Sequence, residues 1–149
     1  MNKERLAEKL FFAGGVAELV VGTVHFLMPF SIDRSAKLAG VSMEYRSFIS
    51  LASIAIGVCL VTLGFLSIYF SKRLFQDARA GWLFCLSQGL LWTVRLILEL
   101  ALPVRITLFF LSNPTTFILP MLIVLALLFL IPALVVPKEL FKKSIQETS

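Results

Sequence analysis

The segment FILPMLIVLALLFLIPALVV, residues 117–136, decides the fold of this chain. All 20 of its residues are uncharged and apolar, and about 20 such residues let an α-helix cross roughly 30 Å of hydrocarbon. Three more runs of this kind lie at residues 10–30, 48–70 and 80–102, in a chain of 149 residues that is 58% hydrophobic and 15% charged. The sequence therefore predicts an all-α protein, a bundle of four transmembrane helices that forms a single integral membrane domain over residues 1–149.

The lysines and arginines outside these runs are divided unequally between the two sides of the membrane. Nine belong to the N-terminal segment, the loop between helices 2 and 3 and the C-terminal segment, and four belong to the other side. Because cytoplasmic segments carry the excess of basic residues, both termini are expected in the cytoplasm. The net charge of +5 reflects mostly this bias, so the sequence predicts contact with anionic lipid headgroups and no nucleic-acid partner.

Helix 3 carries polar and small residues at the spacing of one helix face. At steps of 3 or 4 residues, this stripe consists of Gly81, Cys85, Gln88, Trp92, Arg95 and Glu99. A charge at the middle of a membrane costs about 2.5 to 3.5 kcal/mol on insertion scales, so Arg95 and Glu99 are expected to face the bundle interior. Each is the nearest partner for the other, one helical turn away.

Helix 1 has a stripe of the same kind, formed by Gly14 or Gly15, Glu18, Gly22, His25 and Pro29. Glycines allow another helix to approach closely, so helix 1 is predicted to pack on helix 3. His25 and Arg95 each lie 15 positions beyond the start of their run, about 22 Å from the inner edge of the membrane. The two residues are therefore predicted to be level, and the same count places Glu18 beside Gln88.

These stripes predict a polar pocket in the outer half of the bilayer. Its predicted ligand-binding residues are His25, Trp92, Arg95, Glu99 and Arg105, and Glu18 with Gln88 forms the inner part of a polar path. Two arginines suit a phosphate or carbonyl head, an indole can stack, and apolar walls can hold a tail. A lipid or a quinone is therefore the predicted ligand.

Other uses of the same residues are less well supported. A metal site is unfavourable because the chain has one histidine and Arg95 would repel a cation. A haem held by His25 would need a second axial ligand, from Met28 or from a partner chain. Without a nucleophile motif we assign no catalytic residue and do not expect an enzyme. The structural alternative, in which the polar residues only tie helices together, stays open.

The end of helix 1, GTVHFLMP at residues 22–29, precedes a polar loop and three more helices. This arrangement resembles the DoxX-like group of small four-helix bacterial membrane proteins in helix number, chain length and the short motif. The resemblance implies an antiparallel four-helix bundle in a bacterial inner membrane. It also implies an accessory role in redox or cell-envelope assemblies. Arg95 and Glu99 match no motif of that group.

Two functions follow as hypotheses. In the first, the protein is a small accessory subunit of a larger membrane complex, with the outer pocket binding a lipid or quinone headgroup. In the alternative, it is a free-standing membrane protein that binds or transports a lipid, a proton or a small solute along the polar stripes of helices 1 and 3. The expected partners are membrane lipids and either another membrane protein or a second copy of the chain.

Overall fold

A computed structural model of the protein describes residues 3–33, 40–73, 78–103 and 113–147. These residues form four α-helices, which are α1 (Lys3–Asp33), α2 (Met43–Ser71), α3 (Ala78–Ala101) and α4 (Thr115–Glu147). Each helix contains a stretch long and apolar enough to cross a membrane. The predicted all-α fold with four membrane-spanning helices is thereby confirmed, whereas the orientation of the termini stays a prediction.

The helices are longer than the apolar runs from which they were predicted. The first helix begins at Lys3, not at residue 10, and the last ends at Glu147, not at residue 136. Hydropathy marks only the part of a helix that lies in hydrocarbon, and the charged segments KERLAEK and KELFKK that flank these runs are rich in good helix formers. The helices therefore extend beyond the apolar runs into these charged segments.

The helices stand in chain order around the bundle. The pairs α1/α2 and α3/α4 pack extensively, α1 also packs on α4, and α2 and α3 touch at only a few places. α1 and α3 lie diagonally across the bundle, and long side chains make the contact between them: Phe11 and Phe84 have ring centroids 6.1 Å apart, and Trp92 bonds Glu18. The predicted contact of the two stripes is confirmed at Glu18 and Trp92, whereas Gly15 and Gly22 of α1 pack on α2 and not on α3. Counting residues along a helix gives the depth of a side chain but not the neighbour towards which it points.

The glycines of α1 pack against α2. A Cβ atom on Gly15 would lie 2.9 Å from the carbonyl oxygen of Gly64, and one on Gly22 would lie 3.0 Å from that of Gly57. Such distances are too short for any side chain, so these four glycines set the close approach of the two backbones. The buried face of α2 is a stripe of small residues that includes Ser53, Gly57 and Gly64.

Two side chains of α3 bond to backbone carbonyls of α4. Trp82 donates from Nε1 to the carbonyl oxygen of Ala133 at 2.9 Å, and the Cys85 thiol donates to that of Phe129 at 3.1 Å. Pro137 has no backbone N–H, so the Ala133 carbonyl lacks its ordinary donor from within α4. Trp82 thus satisfies a carbonyl that the proline has freed.

Candidate functional site

A buried carboxylate joins three helices near the middle of the bundle. Glu18 of α1 is completely buried and accepts hydrogen bonds from Trp92 Nε1 at 2.8 Å and from Ser67 Oγ at 3.0 Å. These residues come from α3 and α2 respectively, so each carboxylate oxygen is bonded to a different helix. We refer to Glu18, Ser67 and Trp92 as the inner cluster.

Sequence reasoning places Glu18 level with Gln88, but the structure bonds it to Trp92, one helical turn further along α3. The difference arises because side chains of a helix lean towards its N-terminus, which brings the Trp92 indole back towards the level of Gln88. A long indole reaches across the bundle axis to meet the carboxylate, and such a reach does not follow from counting backbone rise.

Gln88 contributes a buried amide that is not fully bonded. Its side chain is 3% exposed, and its Oε1 has no hydrogen-bond partner among the described residues. Rotating the amide by half a turn would exchange the oxygen for the nitrogen and leave a polar atom at the same place. A buried polar atom without a partner costs about 1 to 3 kcal/mol.

A second polar group lies towards the C-terminal end of α3, which is the outer end in the predicted orientation. Arg95 Nη2 and Glu99 Oε2 are 2.7 Å apart, and Thr115 at the start of α4 donates to Glu99 Oε1 at 3.2 Å. The Glu99 side chain is fully buried, whereas that of Arg95 is 38% exposed. We refer to Arg95, Glu99 and Thr115 as the outer cluster.

The outer cluster orients the arginine towards the end of the helix. Side chains of a helix lean towards its N-terminus, but Arg95 reaches one turn in the other direction to bond Glu99. The buried carboxylate balances the positive charge. A guanidinium has five N–H donors, and only Nη2 is engaged with a described residue, so the part-exposed face can bond an acceptor.

His25 is not joined to this group. Its Nδ1 lies 2.8 Å from the carbonyl oxygen of Val21, and since a carbonyl only accepts, Nδ1 is the donor. The Cβ of His25 also lies near Gly57, which puts the residue beside α2. His25 and Arg95 are predicted to lie at the same depth, but the structure shows no contact between these two described residues.

The structure thus divides the predicted pocket into two clusters. Trp92 belongs to the inner cluster with Glu18, Arg95 and Glu99 belong to the outer cluster, and His25 bonds its own helix. Arg105 lies outside the described residues. Within the part of the chain that the structure describes, no three His, Cys, Asp or Glu side chains are close enough to hold a metal ion.

Sequence reasoning missed two hydroxyl groups that complete the clusters. Ser67 extends the buried stripe of α2 by one step of 3 residues beyond Gly64, so helical spacing was a sufficient signal for it. Thr115 precedes the apolar run of helix 4, so hydropathy places it in the connection between helices 3 and 4. The Asn113-Pro114 pair before it is a helix-start signal that places Thr115 in the first turn of helix 4, but its bond to Glu99 joins two helices and does not follow from the local sequence.

Comparison of the chain with protein-family models, with curated proteins and with solved structures found no match in any of the three. The resemblance of helix 1 to the DoxX-like group accordingly stays a prediction.

Proposed function

We propose that this integral membrane protein binds a lipid, whose polar end accepts hydrogen bonds from Arg95. The observation that carries the proposal is the contrast within the outer cluster. A fully buried glutamate holds an arginine whose side chain is 38% exposed. A pair that served only to join helices would have both members inside the bundle, whereas this pair presents a guanidinium face outwards.

The depth of Arg95 suits the glycerol ester region of a lipid. The residue lies six positions before the last residue of α3, Ala101, which is about 9 Å below the helix end at 1.5 Å per residue. Its side chain extends towards that end to reach Glu99. The guanidinium is therefore level with the groups just beneath the phosphates of the outer leaflet, given the predicted orientation.

The charge of the outer cluster also favours a neutral acceptor. Arg95 and Glu99 together carry no net charge, so a phosphate group would gain little from a long-range attraction. Ester carbonyl oxygens accept N–H bonds without bringing a further charge into the low-dielectric interior. We therefore favour a glycerolipid that is bound through its ester carbonyls.

A quinone is less well supported than a glycerolipid. The indole predicted to stack on a quinone ring is that of Trp92, which is 3% exposed and bonded to Glu18. His25, the predicted proton-sharing group, bonds its own helix. The alternative of a polar path along α1 and α3 is also weaker. Among the described residues the polar side chains of the two helices bond each other at Glu18 and Trp92, whereas His25 and Arg95 each bond their own helix.

Lipid retention after purification in mild detergent tests the proposal. Native mass spectrometry of the wild-type protein should show one retained lipid, and Arg95→Gln should weaken the affinity for it about tenfold or more, seen as a lower occupancy, since a hydrogen bond from a charged group contributes about 1.5 to 3 kcal/mol. Ser87→Ala is the control, because Ser87 is an exposed residue of the same helix that bonds Phe84. Equal lipid occupancy in the wild type and in Arg95→Gln would contradict the proposal, and a retained quinone would replace the glycerolipid.

A further inference from the structure

α2 and α3 contact each other near the inner end of the bundle, through the faces that they turn towards each other. The rings of Phe70 and Phe84 have centroids 5.2 Å apart. Eleven residues correspond to about three helical turns, so the residues eleven positions further out lie on nearly the same faces. On α2 that residue is Cys59, and on α3 it is Arg95.

These two outer residues are not covered by the opposite helix. Cys59 is exposed and the Arg95 side chain is 38% exposed, whereas Phe70 and Phe84 pack partly buried against the core. Few contacts join α2 and α3. The two helices therefore touch at the phenylalanines and leave an opening from there to the outer side, which we call the α2/α3 slot.

We infer that the α2/α3 slot holds one acyl chain of an outer-leaflet glycerolipid. This inference rests on the proposed function, because the ester group bound by Arg95 would anchor the chain. Three or four residues from Cys59 or Arg95, and therefore close to the same helix faces, stand apolar side chains with large exposed fractions, namely Ile56 at 48%, Leu91 at 43% and Leu98 at 48%. The polar residue of the slot, Arg95, is at the mouth.

The length of the slot agrees with this occupant. Eleven residues from Phe84 to Arg95 span about 16 Å at 1.5 Å per residue. One leaflet supplies about 15 Å of hydrocarbon, half of the roughly 30 Å core. An extended acyl chain whose ester lies at Arg95 would thus reach towards the phenylalanines that close the slot.

Photo-crosslinking from the native cysteine tests the inference. Cys59 is exposed and Cys85 is buried, so a maleimide that carries a benzophenone labels Cys59 selectively. The full-length protein is reconstituted with phosphatidylglycerol of one acyl mass, mixed briefly with excess vesicles of a second acyl mass, and irradiated. The mass of the adduct then tells whether the contacted lipid has exchanged.

A neighbouring position provides the matched control. Val58 is 53% exposed and, being one residue away, points about 100° around the helix towards bulk lipid. A Val58→Cys, Cys59→Ala variant should give adducts with the second lipid, while wild-type Cys59 should give adducts with the first. In Arg95→Gln, the Cys59 adduct should change to the second lipid.

The outcomes of this experiment distinguish the acyl chain in the slot from the role proposed for Arg95. An adduct of wild-type Cys59 with the second lipid, or with a residue of α3, overturns the slot, even if Arg95→Gln reduces lipid retention. An adduct with the first lipid in both the wild type and Arg95→Gln supports the slot while it contradicts the role proposed for Arg95. Loss of the first lipid only in Arg95→Gln supports both.

Discussion

At the scale of single residues, the polar groups of the bundle are paired unequally. Glu18 has a donor for each oxygen, and Glu99 is bonded by Arg95 and Thr115, whereas the Gln88 oxygen has no partner among the described residues. Inside a membrane, a polar group that has no protein partner faces hydrocarbon instead of water. Removing a bonded group and removing an unbonded one should therefore change the free energy of unfolding in opposite directions.

Removing the indole donor of Trp92 should destabilise the protein. Trp92→Phe leaves one oxygen of the buried Glu18 without its bond, and we expect a loss of about 1 kcal/mol in the free energy of unfolding, measured by denaturant titration in detergent. Glu18→Gln is the control. Its amide oxygen can accept from Trp92 while its nitrogen donates to the Ser67 hydroxyl, so its loss should be smaller. Equal losses in both variants would show that the bond to Trp92 is not what stabilises the cluster.

Removing the unpaired amide of Gln88 should have the opposite effect. Gln88→Leu keeps a side chain of similar size and deletes a buried polar atom without a partner, which should raise the unfolding free energy by about 1 kcal/mol. The same titration measures it. Ser53→Ala, on the buried stripe of α2, serves as the comparison for a small polar-to-apolar change. A lower stability of Gln88→Leu would mean that the amide has a partner in the membrane-embedded protein.

At the scale of helices, the number of elements and their apolar spans follow from the sequence, because hydrocarbon thickness fixes the length of an apolar run. The pairing of helices does not follow so directly. The glycine stripe of α1 was assigned to α3, but it lies against Gly57 and Gly64 of α2. A glycine stripe indicates that another helix approaches closely, but it does not tell which one. In this chain both α2 and α3 carry a stripe of small residues that could pack on it.

The residue pairs of the candidate site were predicted correctly within a helix but not between helices, for the same reason. Spacing along α3 correctly predicts that Arg95 bonds Glu99, since that pair belongs to one helix. Contacts between helices depend on rotation and on the reach of long side chains. The spacing therefore predicts Trp92 in one pocket with His25 and Arg95, whereas the structure bonds it to Glu18.

Close packing of α1 on α2 predicts a strong effect of a single methyl group. In Gly64→Ala the new Cβ would lie 2.8 Å from the Gly15 carbonyl oxygen, and backbone cannot yield as a flexible side chain does. We expect a loss of about 1 to 3 kcal/mol, measured as a lower midpoint of thermal unfolding in detergent. Gly40→Ala is the control, because a Cβ there meets nothing within 4 Å. Similar midpoints for the two variants would contradict the close approach.

At the scale of the whole molecule, many large apolar side chains remain exposed on the outside of the bundle, as a membrane-embedded protein requires. The proposed lipid site needs only this chain. The accessory-subunit hypothesis needs a partner as well, and the two are compatible because lipid can fill the α2/α3 slot while another face of the bundle meets a protein.

Native purification distinguishes these roles. If the protein is an accessory subunit, extraction at endogenous expression level followed by native mass spectrometry should show it in a stoichiometric complex with a different membrane protein. The same preparation with an abundant unrelated membrane protein under the same tag controls for carry-over. Recovery of the chain only as a monomer or a self-oligomer would count against the accessory role and leave the lipid-binding proposal intact.

The bond from Trp82 to the Ala133 carbonyl has a consequence for biosynthesis. Because Pro137 supplies no N–H, α4 alone leaves this carbonyl without its helical donor, and unsatisfied backbone groups cost several kcal/mol in hydrocarbon. The donor is on the preceding helix, which leaves the ribosome first. We therefore expect α4 to enter the bilayer beside α3, as a helical hairpin, and not as an independent span that finds its neighbour later.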